Sequence, residues 1–558
     1  MADSPELPSS APSIRRRTKS DWPWIVAVLI LIAISVAGIA RSWTALSATI
    51  DEPVHIWCGI EWLQNGMCGF DLQHPPLGRM VVALGPYLRG LRSPAGTGEQ
   101  AIAATLHSAG TFRSNIALAR SGNLAFFLLA CVFVFLWARH VFGASAAAWA
   151  VVLFAALPAV LGHAALATND MACCATVIMS LYAFVRCVED PSGRRLILLG
   201  TALALAFLSK FSSVAFLAAC FLSAFAYFVV ADPRRRAAWR RLPARIAIVS
   251  GVALLLLWAG YRFASPSLAS LYSGTTAGTE LNFPDNPLLR TRFAQFPFPL
   301  SPVVKGIQEL YLHNAQGHES YLFGKARGTG WWYFFPLVLG LKTPIGFLVL
   351  TCVGVFVMAR GDRLGAWQQY LALIFPCGIL LVCMSARINL GVRHILAIYP
   401  LLAAIAGYAV SECLVLARRK SFALAALPVL LVGWVVMDSW MARSDYMAYF
   451  NQFAGAHPER ILAESDLDWG QDLYALSDRL QQLRADHVSI KYFGGTPLED
   501  AGLPPFSVLS PDVPTTYGYV AVSVRYVTLE NAAYGSFAWL KDYAPLETVG
   551  KSIYLYKF

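Results

Sequence analysis

Long apolar runs recur from one end of this chain nearly to the other, each closed by a short loop, and nothing constrains the fold more. They fall at about 22–40, 121–138, 144–162, 170–187, 196–209, 211–230, 246–262, 331–358, 366–384, 394–416 and 422–440. Each is long enough to cross a hydrocarbon layer of about 30 Å, although 196–209 is short and its boundaries are soft. Across 558 residues the chain is 57% hydrophobic and 14% charged, with a mean hydropathy of +0.53. A soluble protein is about one quarter charged. So much apolar surface needs lipid as its solvent, and the reading is an all-α polytopic membrane protein of about eleven helices.

The net charge of +11 points to topology, because the basic residues come in short bursts between apolar runs. A long basic stripe for nucleic acid is absent. One set of loops carries Arg139, then Arg194 and Arg195, then Arg234, Arg235, Arg236, Arg240, Arg241 and Arg245, then Arg360 and Arg363, then Arg418, Arg419 and Lys420. These loops alternate with the others once per span, as the positive-inside rule requires of a chain with a cytoplasmic N-terminus. Residues 1–20, Ser/Pro-rich and ending in Arg15, Arg16, Arg17 and Lys19, read as a disordered cytoplasmic tail. A cleaved signal peptide is the alternative for the first run, though the run is long for one.

Residues 21–440 thus form a transmembrane domain in a plasma (inner) membrane, with outward loops at about 41–120 and 263–330. The region 441–558 follows outside. It mixes alternating stretches such as Val488 to Phe493 with the helical Trp469 to Leu483, which predicts a small extracytoplasmic α+β domain. Of the eleven cysteines, nine lie in or beside apolar runs as small hydrophobes. Cys58 and Cys68 share a polar loop, and bridged or free are equally open to them.

The informative charges stand on the outward side, where topology does not call for them. Asp51-Glu52 follows the first run, with His55 behind; His74-Pro75-Pro76-Leu77 and Arg79 come next; Arg120 opens the second run. Asp170 sits in a tight hop, Lys210 lies between two apolar runs, and Arg387, Arg393 and His394 flank the tenth. A charge at membrane depth costs on the order of 3 kcal/mol on insertion scales, so such residues usually pair or work. Plainer roles exist: a helix cap for Asp170, snorkelling for Arg387 or Arg393, an interfacial anchor for Lys210, loop solvation for Asp51-Glu52. Their gathering on one face favours work.

Carboxylates opposed by cations at the outer lipid boundary suit one chemistry. A sugar linked to a lipid through phosphate needs cations at its leaving phosphate. Phosphate leaves without a general acid, so the acceptor hydroxyl is what needs activation, and one positioned carboxylate does that as general base. In a single inverting displacement the base lies on the sugar face opposite the leaving group.

Asp51-Glu52-Pro53-Val54-His55 with His74-Pro75-Pro76-Leu77 resembles the first outer loop of the dolichyl-phosphate-mannose–protein mannosyltransferase family, within the GT-C superfamily. The likeness runs on through Ala117 to Arg120, Ala167 to Ala172 and Leu208-Ser209-Lys210. It continues in Ser320 to Gly324, Gly330 to Tyr333, Asn389 to His394 and Asp468 to Asp472, in the manner of the bacterial branch. The resemblance implies Asp51 as catalytic base and Glu52 as holder of the helix-end arginine or aid to the acceptor. It implies Arg120 and Lys210 at the donor phosphate; the reading of the charges adds Arg393 and Arg79 as further cations for it. The donor is then a polyprenyl-phosphate sugar, mannose-like hexose first, and the acceptor a protein, lipid or glycan hydroxyl. There are departures: the loop at 263–330 is too short for a luminal β-trefoil, and Gly78-Arg79 stands where the family has a lysine.

Weaker candidates complete the list. His55, His74, Glu52 and Asp170 leave a divalent metal open, without a compact spacing such as HExxH. His318 and Tyr321 are donor or acceptor contacts. Asp466, Asp468 and Asp472 suit an exposed helix start as well as sugar binding. A polytopic transporter or flippase for lipid-linked sugars is the competing class; it predicts charges at mid-membrane on broken helices and internal repeats, of which there is no sign.

Overall fold

A computed structural model describes residues 22–94, 96, 98–231, 241–273, 292–360, 367–420, 423–512 and 517–558. The tail at 1–20, Arg234, Arg235, Arg236, Arg240 and Arg363 lie outside these, as does part of the loop at 263–330.

The first apolar run becomes α1 (Trp22–Ala45). The loop expected to face outward is helical: α2 (Glu52–Asn65), α3 (Pro76–Arg89), α4 (Glu99–Leu106) and α5 (Phe112–Gly122). These share a core of Ile56, Ile60, Val82, Leu106, Phe112 and Ile116. The bundle then runs through α6 (Leu124–Phe142), α7 (Ala144–Ala155), α8 (Pro158–Ala164), α9 (Asp170–Glu189), α10 (Gly193–Ser209), α11 (Ser212–Ala231) and α12 (Leu242–Gly260). After α13 (Leu268–Ser273), α14 (Ser301–Gln316) and the hairpin β1 (Ser320–Leu322) and β2 (Lys325–Arg327), it resumes. Its last helices are α15 (Phe334–Lys342), α16 (Ile345–Arg360), α17 (Trp367–Met384), α18 (Tyr399–Lys420) and α19 (Ala423–Met441).

Among the described residues seven helices are long and apolar enough to span a membrane, or nine if two bent pairs each count as one. The expected count of about eleven is reached only by adding α10, of 17 residues, and α19, of which the shorter apolar stretch Ala425–Met441 is what qualifies. The bent pairs α7–α8 and α15–α16 turn by 65° and 113°. Pro158 and Pro344 explain the breaks: proline withholds a backbone donor and forces the preceding residue out of helical geometry. The protein is nonetheless a multi-pass membrane protein. Helix α18 is its central post, packed against α6, α7, α16, α17 and α19. Gly407 lets α7 approach so closely that a Cβ there would stand 2.5 Å from the Ala146 carbonyl, small-residue packing that bilayer helices favour.

Outside the bundle, α20 (Glu464–Leu467) and α21 (Leu473–Gln482) precede a five-stranded mixed sheet, as the α+β expectation had it. Its strands are β3 (Val488–Lys491), β4 (Phe506–Val508), β5 (Tyr519–Ser523), β6 (Glu547–Val549) and β7 (Ile553–Lys557), in the order β4-β3-β5-β7-β6. Leu473, Leu476 and Leu480 pack on Val488, Ile490, Ala521 and Leu555. This unit is fastened to the loop that follows α1. The Ser47 hydroxyl donates to the Gly470 carbonyl at 2.7 Å, and the Ala48 N–H donates to Thr496 Oγ1 at 2.7 Å.

Candidate active site

Asp51 occupies the cap position ahead of α2, and its carboxylate accepts a hydrogen bond from Arg393 Nη1 at 2.7 Å. Its side chain is 35% exposed against 12% for Arg393, so the acid remains reachable. Arg393 belongs to a 3₁₀ turn, Val392–Ile398, that leads into α18. Gly391 opens the turn at φ 142°, where a Cβ would lie 2.8 Å from the Asp466 carboxylate, so only glycine fits. Asp466 Oδ1 accepts from the Val392 N–H at 2.9 Å, and the Asp466 carbonyl accepts from Lys342 Nζ at 2.5 Å. The Arg393 guanidinium is thus held over the Trp469 ring, 4.3 Å from its centroid, a cation–π geometry. Its Nε has no partner among the described residues.

A second acid–base pair lies beside the first. Asp170 starts α9, where the helix dipole favours an anion. Lys210 stands in extended backbone at the break between α10 and α11, and its Nζ donates to Asp170 Oδ1 at 2.5 Å. Arg393 and Asp170 are within electrostatic reach of one another. Lys210 and His394 also line a cavity of about 420 Å³ that is otherwise mainly apolar, walled by Phe211, Phe216, Ile307, Tyr311, Phe335 and Val382. His394 stacks on Phe335, ring centroids 5.9 Å apart. Two buried polar side chains close by lack partners among the described residues: both amide atoms of Asn169 and the Nδ1 of His163, whose ring meets Trp469 edge-on. Buried unpaired groups of this kind ask for a ligand or water.

The remaining candidates fall elsewhere. Arg120 is fully buried and gives two N–H groups to Glu52, each at 2.8 Å. Its other donors go to the carbonyls of Trp43, Leu46 and Ser47, each at 2.8 Å. A guanidinium has five N–H groups, so in this arrangement all of those of Arg120 are spent inside the protein and none faces a phosphate. Glu52 is saturated too, accepting from the Thr49 and Ala167 N–H groups at 2.9 and 2.8 Å. Of its two expected roles, holding the helix-end arginine is the one this geometry performs. Arg79 is likewise buried. It pairs closely with Asp71 and donates to His55 Nδ1 at 3.1 Å and to the Asp71 carbonyl at 2.8 Å. Burial pushes the Asp71 carboxyl up, but Arg79 and His74 overcome this and hold it below the usual carboxylate range. Burial and the neighbouring Arg79 push His55 well below its ordinary value, so it stays neutral. His74 is 2.9 Å from Asp71 and joins the same cluster.

His318 is half-buried, lowered in pKa by burial, and has Asp51 and Arg393 among its charged neighbours. Tyr321 is instead packed on Ala463 and Leu529 and lines a separate groove on the outer domain. Arg387 is exposed and donates to the Ala315 carbonyl at 3.0 Å. Asp466, Asp468 and Asp472 are buried, which overturns the exposed helix start. Asp472 accepts from the Ser552 hydroxyl at 2.8 Å, and Asp468 from the Arg525 N–H at 2.8 Å. Among the described residues no three His, Cys, Asp or Glu side chains gather as a metal set. Gly78 abuts Asn169, with a Cβ there 2.4 Å from its Oδ1, so the lysine of the family pattern has no room. Lys342 escaped the sequence reading, although it is a charge inside an apolar run, the same signal that marked Lys210.

A family model, that of dolichyl-phosphate-mannose-protein mannosyltransferase, matches residues 107–259. Among solved structures, ArnT from Cupriavidus metallidurans bound to undecaprenyl phosphate is similar at a TM-score of 0.53 and 14% identity, covering 96% of this chain and 98% of that one. The S. cerevisiae protein O-mannosyltransferase Pmt1-Pmt2 complex bound to the sugar donor is similar at 0.52 and 11% identity, over 78% and 91%. No curated protein matches the chain in sequence. The fold is GT-C-like, and the chain resembles the dolichyl-phosphate-mannose–protein mannosyltransferase family.

Proposed function

We propose that this GT-C-like membrane protein is a glycosyltransferase that moves a hexose, mannose-like, from a polyprenyl-phosphate donor to an acceptor hydroxyl at the outer membrane face, with inversion. The observation that carries this is the pairing of a reachable carboxylate, Asp51, with cations beside an apolar cavity that ends on Lys210 and His394. The cavity suits a prenyl chain, and Lys210 with Arg393 suits its phosphate. Asp51 takes the acceptor's hydroxyl proton as that oxygen bonds to the anomeric carbon. The bond from that carbon to the phosphate oxygen breaks, and prenyl phosphate leaves as an anion held by the two cations. Arg393 is positioned to pass from Asp51 to phosphate, since its Nε is unpartnered. Asn169 and His163 supply polar groups for sugar hydroxyls. Glu52, Arg120 and Arg79 shape the loop that carries Asp51. The N-terminus is cytoplasmic and the C-terminal domain extracytoplasmic in this reading.

Incubating purified protein with a panel of radiolabelled polyprenyl-phosphate sugars and membrane extract tests it. Label is expected to move from one donor to a hydroxyl acceptor with inverted anomeric configuration. Label that crosses a sealed vesicle bilayer still attached to its prenyl carrier marks a flippase instead, and sinks the transferase reading.

A further inference from the structure

At the end of the bundle remote from Asp51, a cleft of about 550 Å³ opens between α6, α9 and α10. Arg186 reaches it from the last turn of α9, and Arg194 and Arg195 from the first turn of α10; Phe133, Leu198 and Ala202 line its apolar part. Three guanidiniums face a single lining carboxylate, Asp190, which is 60% exposed. Arg195 is 3.5 Å from Asp190 and donates to the Arg186 carbonyl at 2.7 Å. The nearby Glu189 is engaged by His140 at 2.5 Å, Gln368 at 2.8 Å and Arg186 Nε at 3.6 Å, and Arg186 Nη1 also meets His140 Nδ1 at 3.0 Å, so Arg194 and Arg195 are the cations left to the cleft. Among the described residues the Arg194 guanidinium has no hydrogen-bond or ion-pair partner. Two arginines in the first turn of α10 also oppose the helix dipole, which concentrates positive potential where it is least comfortable without an anion.

We infer that this cleft binds the phosphodiester headgroup of an anionic phospholipid. Arg186 lies sixteen residues along α9 from Asp170, about 24 Å at 1.5 Å per residue. That places the arginines near the headgroup level of the leaflet opposite the active site. Ile197 and Leu198 beside the cleft are 52% and 51% exposed, an apolar flank for acyl chains. A free phosphate has no use for that flank. Basic pockets between membrane helices on the positive face are suited to such headgroups.

The full chain is reconstituted in phosphatidylcholine nanodiscs with and without phosphatidylglycerol or cardiolipin, and retained lipid is counted by native mass spectrometry. Anionic lipid is expected to stay bound, and the double variant Arg194→Gln/Arg195→Gln is expected to lose roughly tenfold or more of that retention, at about 1 kcal/mol per arginine. Arg360→Gln, in the last turn of α16, keeps retention at the parent level. Thermal midpoints of all variants in phosphatidylcholine alone check that they fold. Equal retention of zwitterionic and anionic lipid, or an equal loss in Arg360→Gln, overturns the site. Displacement of the lipid by millimolar inorganic phosphate overturns the lipid assignment in favour of a free-anion site. None of these readouts depends on sugar transfer.

Discussion

The Arg120 guanidinium spends every N–H inside the protein, whereas Arg393, also surrounded by protein, keeps an Nε unpaired beside an accessible acid. Two arginines that look alike in sequence therefore predict different losses. Removing one partner of the buried Arg120–Glu52 pair, as in Glu52→Gln, strands a charge and is expected to cost about 3–5 kcal/mol. A lowered thermal midpoint checks this. Asp51→Asn should leave the midpoint and donor affinity nearly unchanged and cut turnover by roughly 10²–10⁴, the usual share of a general base. Donor binding and turnover measured on one preparation separate the outcomes, and full activity in Asp51→Asn would falsify the assignment. Lys210→Met is expected to weaken donor binding with little loss of stability.

At the scale of elements, the sequence made some things plain and hid others for identifiable reasons. Charges amid apolar residues announced Asp170, Lys210 and Arg393 without any alignment. It was silent on Arg120's true partners because three are backbone carbonyls, between Trp43 and Ser47, and carbonyls carry no residue signature. The acids at 466–472 read as a helix start, since nothing local reveals that Val392, Arg525, Lys551 and Ser552 come to lie against them. Burial first, then the neighbouring Asp472 charge, pushes Asp468 up to about 8; burial and Asp445 raise Asp472 as well. The unfolded value is about 3.9. The folded outer domain therefore keeps a proton that the unfolded chain releases, and stability falls as pH rises from about 4 to 8. Asp71, depressed instead, adds stability that is lost only in strong acid. Scanning fluorimetry in detergent is expected to show a midpoint several degrees lower at pH 8 than at pH 5, and a flatter profile in Asp468→Asn. A smaller question left open by composition concerns Cys58 and Cys68, whose sulfurs lie 2.8 Å apart in a buried pocket of the first outer loop. A shift of under 1 Å joins them, so mass analysis of protein from an oxidising compartment is expected to find them paired.

For the molecule as a whole, alternating loop charge predicts the sidedness, and the bent pairs at Pro158 and Pro344 gave the departures from a simple count of spans. With an outside C-terminus, a cysteine added after Phe558 is expected to react with a membrane-impermeant maleimide in intact cells; protection until lysis reverses the orientation.

The Asp51–Arg393 bond joins residues 342 positions apart, and the strand of chain carrying Asp51 is pinned by Gly470 and Thr496, more than 420 positions downstream. Nothing local can stand in for those partners. A nascent chain threading into the bilayer therefore carries its acid loop exposed and unaligned through most of synthesis, and closing so long a loop is among the last events of maturation. On the function proposed above, a chain cut short of Thr496 is therefore expected to insert without an assembled site and to show no transfer.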